Sequence, residues 1–98
     1  MTSYAPFLTI YSKTQCPNCV NAKNFLKAKK IDFEEKNIET DEQAREFLLA
    51  QGHRSVPQIY FGDRLFVEGG WTGLSKMSAE EIEDSMAFGD SFTNLGSL

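Results

Sequence analysis

Residues 12–20 read SKTQCPNCV, and they hold both cysteines of the chain, Cys16 and Cys19. Just upstream, FLTIYS (residues 7–12) is an apolar run ending at polar Lys13, Thr14 and Gln15, the pattern of a buried strand feeding a loop. Downstream, Pro17 suits the first position of a helix, where its missing N–H is no loss. VNAKNFLKAKK then places Val20, Ala22, Phe25, Leu26 and Ala28 at broadly helical spacing. The stretch therefore predicts strand, loop and helix, with Cys16 at or beside the N-cap and Cys19 one turn further in on the same face. Such a pair can be a reactive dithiol, half of a metal site or a structural bridge.

The rest of the chain continues the alternation. DFEEKNI (residues 32–38) reads as a second strand, and the intervening helix makes it parallel to the first. TDEQAREFLLAQG then predicts a helix starting at Thr40 with Gln43 in capping-box position, an apolar face of Ala44, Phe47 and Leu48, and a stop at Gly52. SVPQIYFGDRLFVEGG is a pair of apolar runs joined by Gly62-Asp63, a two-residue hairpin turn. A last helix is expected from Ser78, with Glu81 completing a capping box and Ile82 and Met86 facing inward. Residues 1–88 are expected to form one domain and residues 89–98 an irregular tail.

At 98 residues with 41% hydrophobic content, folding should not need a disulfide. Small secreted domains that do need them carry several, and MTSYAPFLTIYS lacks a signal-peptide layout, so a reducing, cytoplasmic setting is the default expectation. No apolar run approaches the roughly 20 residues of a membrane helix. The net charge of −4 argues against nucleic acid as a partner. The charge is uneven: the first 30 residues hold five lysines and no carboxylate side chain. Lys27, Lys29 and Lys30 suit a helix C-terminus, whereas Lys13 lies at the other end, next to the cysteines.

A zinc site needs four ligands, and beyond the two cysteines only His53 is a ready addition, so no metal is expected. As the chain's one histidine, His53 reads more naturally as a surface loop residue. A helix N-terminus carries unpaired N–H groups and about half a positive charge, which favours a thiolate at Cys16. Cysteines so placed have pKa values of roughly 3.5–7.5, against about 8.5 for the free side chain. The reading that follows is a reactive pair, with Cys16 as nucleophile and the more shielded Cys19 as the resolving thiol.

Taken together, YSKTQCPNC, SVPQIYFGD and the late Gly69-Gly70 resemble the glutaredoxins of the thioredoxin-fold superfamily, over about residues 7–86. The resemblance implies an α/β, thioredoxin-like fold: a four-stranded mixed sheet ordered 2-1-3-4, flanked by three helices. It implies a thiol–disulfide oxidoreductase that reduces protein or glutathione mixed disulfides through the CPNC dithiol, tuned by Pro17 and Asn18. No tightly bound cofactor is implied, and glutathione is a candidate co-substrate. By the same resemblance Pro57 follows a cis bond against the cysteines, Val56 offers its backbone to the substrate cysteine, and Lys13 meets a glutathione carboxylate.

The sequence also departs from the glutaredoxin pattern. Trp71 stands where a smaller residue is usual after Gly70, Thr72 keeps only a hydroxyl for the glutamyl end of glutathione, and the helix-two position for its glycine carboxylate is Ala44, with Arg45 adjacent. WTGL and AQGHRSVP are similar to the NrdH-redoxins, glutaredoxin-shaped donors to ribonucleotide reductase recharged by thioredoxin reductase. Short mixed forms of this kind also occur among phage glutaredoxins. The expected partners are glutathione or thioredoxin reductase and disulfide-containing proteins such as ribonucleotide reductase, served by a monomer. An iron–sulfur carrier and a redox-gated binding module docking through Trp71 are the alternatives.

Overall fold

A computed structural model of the chain describes residues 8–62 and 64–89. In chain order they form β1 (Leu8–Ser12), α1 (Pro17–Ala28), β2 (Phe33–Asn37), α2 (Glu42–Ala50), β3 (Gln58–Phe61), β4 (Arg64–Val67), α3 (Trp71–Leu74) and α4 (Ala79–Gly89). The sheet runs β2-β1-β3-β4, with β1 and β2 parallel and the β1–β3 and β3–β4 pairs antiparallel. That is the mixed sheet and strand order expected from the sequence. Phe7, the Asp63 half of the hairpin turn and residues 90–98 of the expected tail lie outside the described residues.

Strand alternation sorts the apolar side chains onto two faces. Leu8, Ile10 and Ile59 bury against Ala22 and Leu26 of α1, Leu74 of α3 and Ile82 of α4. On the other face Tyr11 and Tyr60 meet Ala44 and Leu48 of α2, with Phe47 half-buried beside them. Each fully buried Leu or Ile stabilises the fold by about 1.5–3 kcal/mol relative to exposure. The Tyr11, Phe47 and Tyr60 rings pack at centroid distances of 5.1–5.6 Å. Three helices thus cover one face and α2 covers the other.

The helix ends follow local chemistry. Both α1 and α2 stop in a Schellman turn: Ile31 N–H reaches Leu26 C=O and His53 N–H reaches Leu48 C=O, each at 3.0 Å. The left-handed position is Lys30 in the first (φ 60°) and Gly52 in the second (φ 85°). Ser78 and Glu81 form the expected capping box, Glu81 N–H donating to Ser78 Oγ and Ser78 N–H to the Glu81 carboxylate.

Three expectations are corrected. The cap of α2 is Asp41, whose carboxylate accepts from Ala44 N–H at 3.0 Å. Thr40 lies one residue earlier, in the turn where its N–H and hydroxyl both donate to Asn37 C=O. Val20 and Ala28 of α1 face solvent, since the buried stripe is Cys19, Ala22 and Leu26. Finally, the helices number four among the described residues, because Trp71–Leu74 forms a short turn of helix. Gly73 permits it: a Cβ there would collide with the carbonyl oxygen of Glu68, the residue after β4.

Candidate active site

The C-terminal end of β1 delivers the chain through Lys13, Thr14 and Gln15 to α1. Gln15 takes a left-handed φ of 58° and turns the backbone so that Cys16 is the N-cap and Pro17 the first helical residue. The Cys16 sulfur accepts the Cys19 N–H at 3.1 Å, one of the four N–H groups that a helix start leaves free. A sulfur in this position is stabilised as an anion by both the hydrogen bond and the helix dipole. Cys16 and Cys19 are joined as a disulfide with Cα atoms 5.2 Å apart. Cys16 is 7% exposed and Cys19 1%, so an incoming group meets Cys16 first.

Opposite the disulfide stands the loop before β3. The Val56–Pro57 peptide bond is cis, and the Val56 carbonyl oxygen lies 3.9 Å from the Cys16 sulfur. The β4–α3 turn packs on this loop from the other side. Gly70 (φ 56°) is buried there, and a Cβ at this position would strike the Pro57 carbonyl oxygen. Trp71 follows, half-buried and edge-on to Phe25 of α1 with ring centroids 5.4 Å apart. A groove of about 500 Å³ opens above these residues, walled by Asn18, Val56, Pro57, Glu68, Trp71 and Thr72 among others.

A second groove of about 270 Å³ lies across Val56 and is lined by Lys13, Arg45, Leu49, Arg54 and Val56 among others. Ala44 is buried in the core beneath, so Arg45 is the residue of this pair that reaches the groove. Of the residues singled out in the sequence, Val56, Gly70, Trp71 and Thr72 share the first groove with Asn18 and Pro57, while Lys13 and Arg45 join Val56 in the second.

His53 lines both grooves and is more than a loop residue: its Nε2 is 2.7 Å from the Tyr60 hydroxyl, and the rings pack edge to face. Burial raises the pKa of Tyr60, which keeps the phenol protonated. The signal for this was present in the sequence, since the residue after a helix-stopping glycine commonly folds back on the helix. Arg54 and Glu68 carry no motif signal of their own in the sequence, because only the tertiary fold brings them to the grooves. A third recess beside the disulfide is lined by Cys16, Cys19, Lys23 and Glu35 among others. Glu35 accepts from Lys23 at 2.8 Å and from the buried Ser12 hydroxyl at 2.6 Å, and these two bonds, Lys23's the larger, lower its pKa. Among the described residues no cluster of three or more His, Cys, Asp or Glu could hold a metal, and no helix is long and apolar enough to cross a membrane.

Comparison with known proteins agrees with this geometry. The glutaredoxin family model matches residues 8–66. A probable glutaredoxin of Synechocystis sp. is 41% identical over 59 residues, 58% of this chain and 67% of that protein. The glutaredoxin-like protein NrdH of Escherichia coli K12 is 36% identical over 56 residues, 57% of this chain and 69% of NrdH. A putative glutaredoxin of Mycobacterium tuberculosis is 36% identical over 78 residues, 78% of this chain and 84% of that protein. Among solved structures, the NrdH-redoxin of Escherichia coli, described by its thioredoxin-like activity profile, superposes with a TM-score of 0.57 at 28% identity, covering 79% of this chain and 91% of that one. The dithiolic glutaredoxin 2-C-Grx1 of Trypanosoma brucei brucei shares the thioredoxin-like fold, with a TM-score of 0.62 at 24% identity over 83% of this chain and 86% of that one. A capped, disulfide-forming Cys16–Cys19 pair on this fold, with the family model spanning most of the sheet, leads to one conclusion: the chain belongs to the glutaredoxin family and is a glutaredoxin- or NrdH-like thiol–disulfide oxidoreductase.

Proposed function

We propose that the protein is a dithiol electron donor that reduces disulfides in client proteins, ribonucleotide reductase among them, and glutathione mixed disulfides. The observation that carries this reading is the Cys16 sulfur, held by the Cys19 N–H at the start of α1 and facing the Val56 backbone. The Cys16 thiolate attacks one sulfur of the client disulfide, forming a mixed disulfide and releasing the other client sulfur as a thiolate that takes a proton from solvent. The Cys19 thiolate, its proton lost to solvent, then attacks the Cys16 sulfur. This forms the internal disulfide and frees the second client thiol, so two electrons pass from the protein to the client. No resident cofactor takes part, and an external reductant restores both thiols.

Val56 presents backbone groups to the substrate cysteine, Lys13 and Arg45 face a carboxylate in one groove, and Thr72 with Gly70 and Trp71 lines the groove on the other side of Val56. Glutathione is one candidate to span the two grooves and for the role of reductant. The NrdH relative and the Trp71-Thr72-Gly73 segment favour a second reading, in which thioredoxin reductase recharges the protein. Steady-state reduction of a glutathione mixed disulfide separates the two. Turnover with glutathione and glutathione reductase supports a working tripeptide site; turnover only with NADPH and thioredoxin reductase supports the NrdH-like reading. Absence of turnover with either reductant would overturn both.

A further inference from the structure

The two grooves that meet at Val56 differ in charge. Lys13, Arg45 and Arg54 line one of them, all three exposed and none engaged in an ion pair among the described residues. Aliphatic surface accompanies them, since Leu49 on the same wall is 58% exposed. The other groove carries a carboxylate, Glu68, exposed on the wall that also holds Trp71. A carboxylate next to an indole is a setting that attracts a cation, by charge and by the electron-rich ring face. Val56, whose carbonyl oxygen approaches the Cys16 sulfur, belongs to both walls. A polypeptide with its cysteine over Cys16 therefore has one flank over cationic surface and the other over acidic and aromatic surface.

We propose that these two grooves together read the charge of a client polypeptide on both sides of its disulfide cysteine, taking an acidic residue over Lys13, Arg45 and Arg54 and a basic residue beside Glu68 and Trp71. The proposal rests on the exchange reaction set out above and specifies its substrate: an extended segment of opposite charge on its two flanks, presented in one chain direction. Charges of this kind act on encounter and orientation and weaken as salt screens them.

The test uses the pre-reduced protein and homodimeric disulfides of blocked peptides of the form Gly-X-Gly-Cys-Gly-Z-Gly, with X and Z each Glu or Lys, and with both Ser as the uncharged member. Second-order rate constants for peptide thiol release are compared as ratios within each protein, so a general change in reactivity cancels. At low salt one of the two mixed-charge peptides should react about fivefold faster than its reverse, the scale of an exposed charge pair. In Glu68→Lys the peptide with two Glu residues should become the fastest. Equal rates for the two mixed-charge peptides, or a ranking unchanged in Glu68→Lys, would overturn the proposal while leaving disulfide exchange intact. Failure to reduce any peptide, the uncharged one included, would overturn the exchange reading and the proposal together.

Discussion

Gly70 sits against the carbonyl oxygen of Pro57 with no room for a side chain between them, so the β4–α3 turn and the loop facing Cys16 are locked to one another. Gly70→Ala forces one of the two to move and should cost about 1–3 kcal/mol. Gly52 provides the comparison: its φ is also positive, at 85°, yet a Cβ there meets nothing within 4 Å. Gly52→Ala should therefore cost only the local strain, about 1 kcal/mol. Urea midpoints for both variants, with disulfide reduction measured below each transition, check this. Activity should fall in Gly70→Ala and hold in Gly52→Ala.

The difference in exposure between the two cysteines predicts an order of events, with Cys16 attacking first and Cys19 resolving. A Cys19→Ser variant should accumulate a mixed disulfide on Cys16 with a client or glutathione, since the resolving thiol is gone. Cys16→Ser should form little adduct, because Cys19 is 1% exposed. Intact mass after incubation with oxidised glutathione reads both, and adduct on Cys19 alone would reverse the assigned roles.

Glu35 contributes a pH dependence whose sign is fixed by its lowered pKa. Its bonds to Lys23 and Ser12 favour the carboxylate in the folded state, so the stabilisation is present above the unfolded value, about 4.3, and is lost as pH falls through the lower folded value. The Glu35 and Lys23 side chains are 36% and 24% exposed, so the effect should stay within the ~0.2–1 kcal/mol of exposed pairs and shrink in high salt. Urea midpoints from pH 7 to pH 3 should fall less steeply in Glu35→Gln than in the parent protein.

His53 and Tyr60 should behave as a coupled pair. Tyr60 is 2% exposed, so His53→Phe leaves a buried hydroxyl without its partner, at a cost of about 1–3 kcal/mol. Tyr60→Phe frees only a half-exposed imidazole and should cost less. The double variant should lose less than the sum of the two, and a cycle of denaturation midpoints that closes additively would count against the bond.

The elements that the sequence announced are those built from local signals. Pro17 after Cys16, the Ala22–Leu26 stripe, Gly52 and the Ser78–Glu81 box all act within one helix, and the structure keeps each of them. Where two neighbours compete, locality was insufficient: Thr40 and Asp41 are both good caps, and the turn that closes on Asn37 C=O takes up Thr40 and leaves Asp41 at the helix start. The helix at Trp71–Leu74 is four residues long and contains a glycine, so no periodicity could reveal it; close packing of Gly73 on Glu68 holds it. The same applies at the site. The cysteine pair and Val56-Pro57 were legible as motifs, whereas Arg54, Glu68 and the Ser12–Glu35–Lys23 contacts depend on which strands lie side by side.

The outer strands of the sheet are β2 and β4. Free strand edges invite another chain to add on and stay, but β2 carries Glu34, Glu35 and Lys36 in succession, and β4 is four residues long. Neither offers a long apolar template, and the Val56 carbonyl oxygen that approaches the Cys16 sulfur belongs to the loop before β3, away from both edges. A polypeptide adding to either edge would thus meet charge on β2 and only a short ladder on β4. That suits a thiol–disulfide oxidoreductase, whose turnover is complete only when its substrate departs.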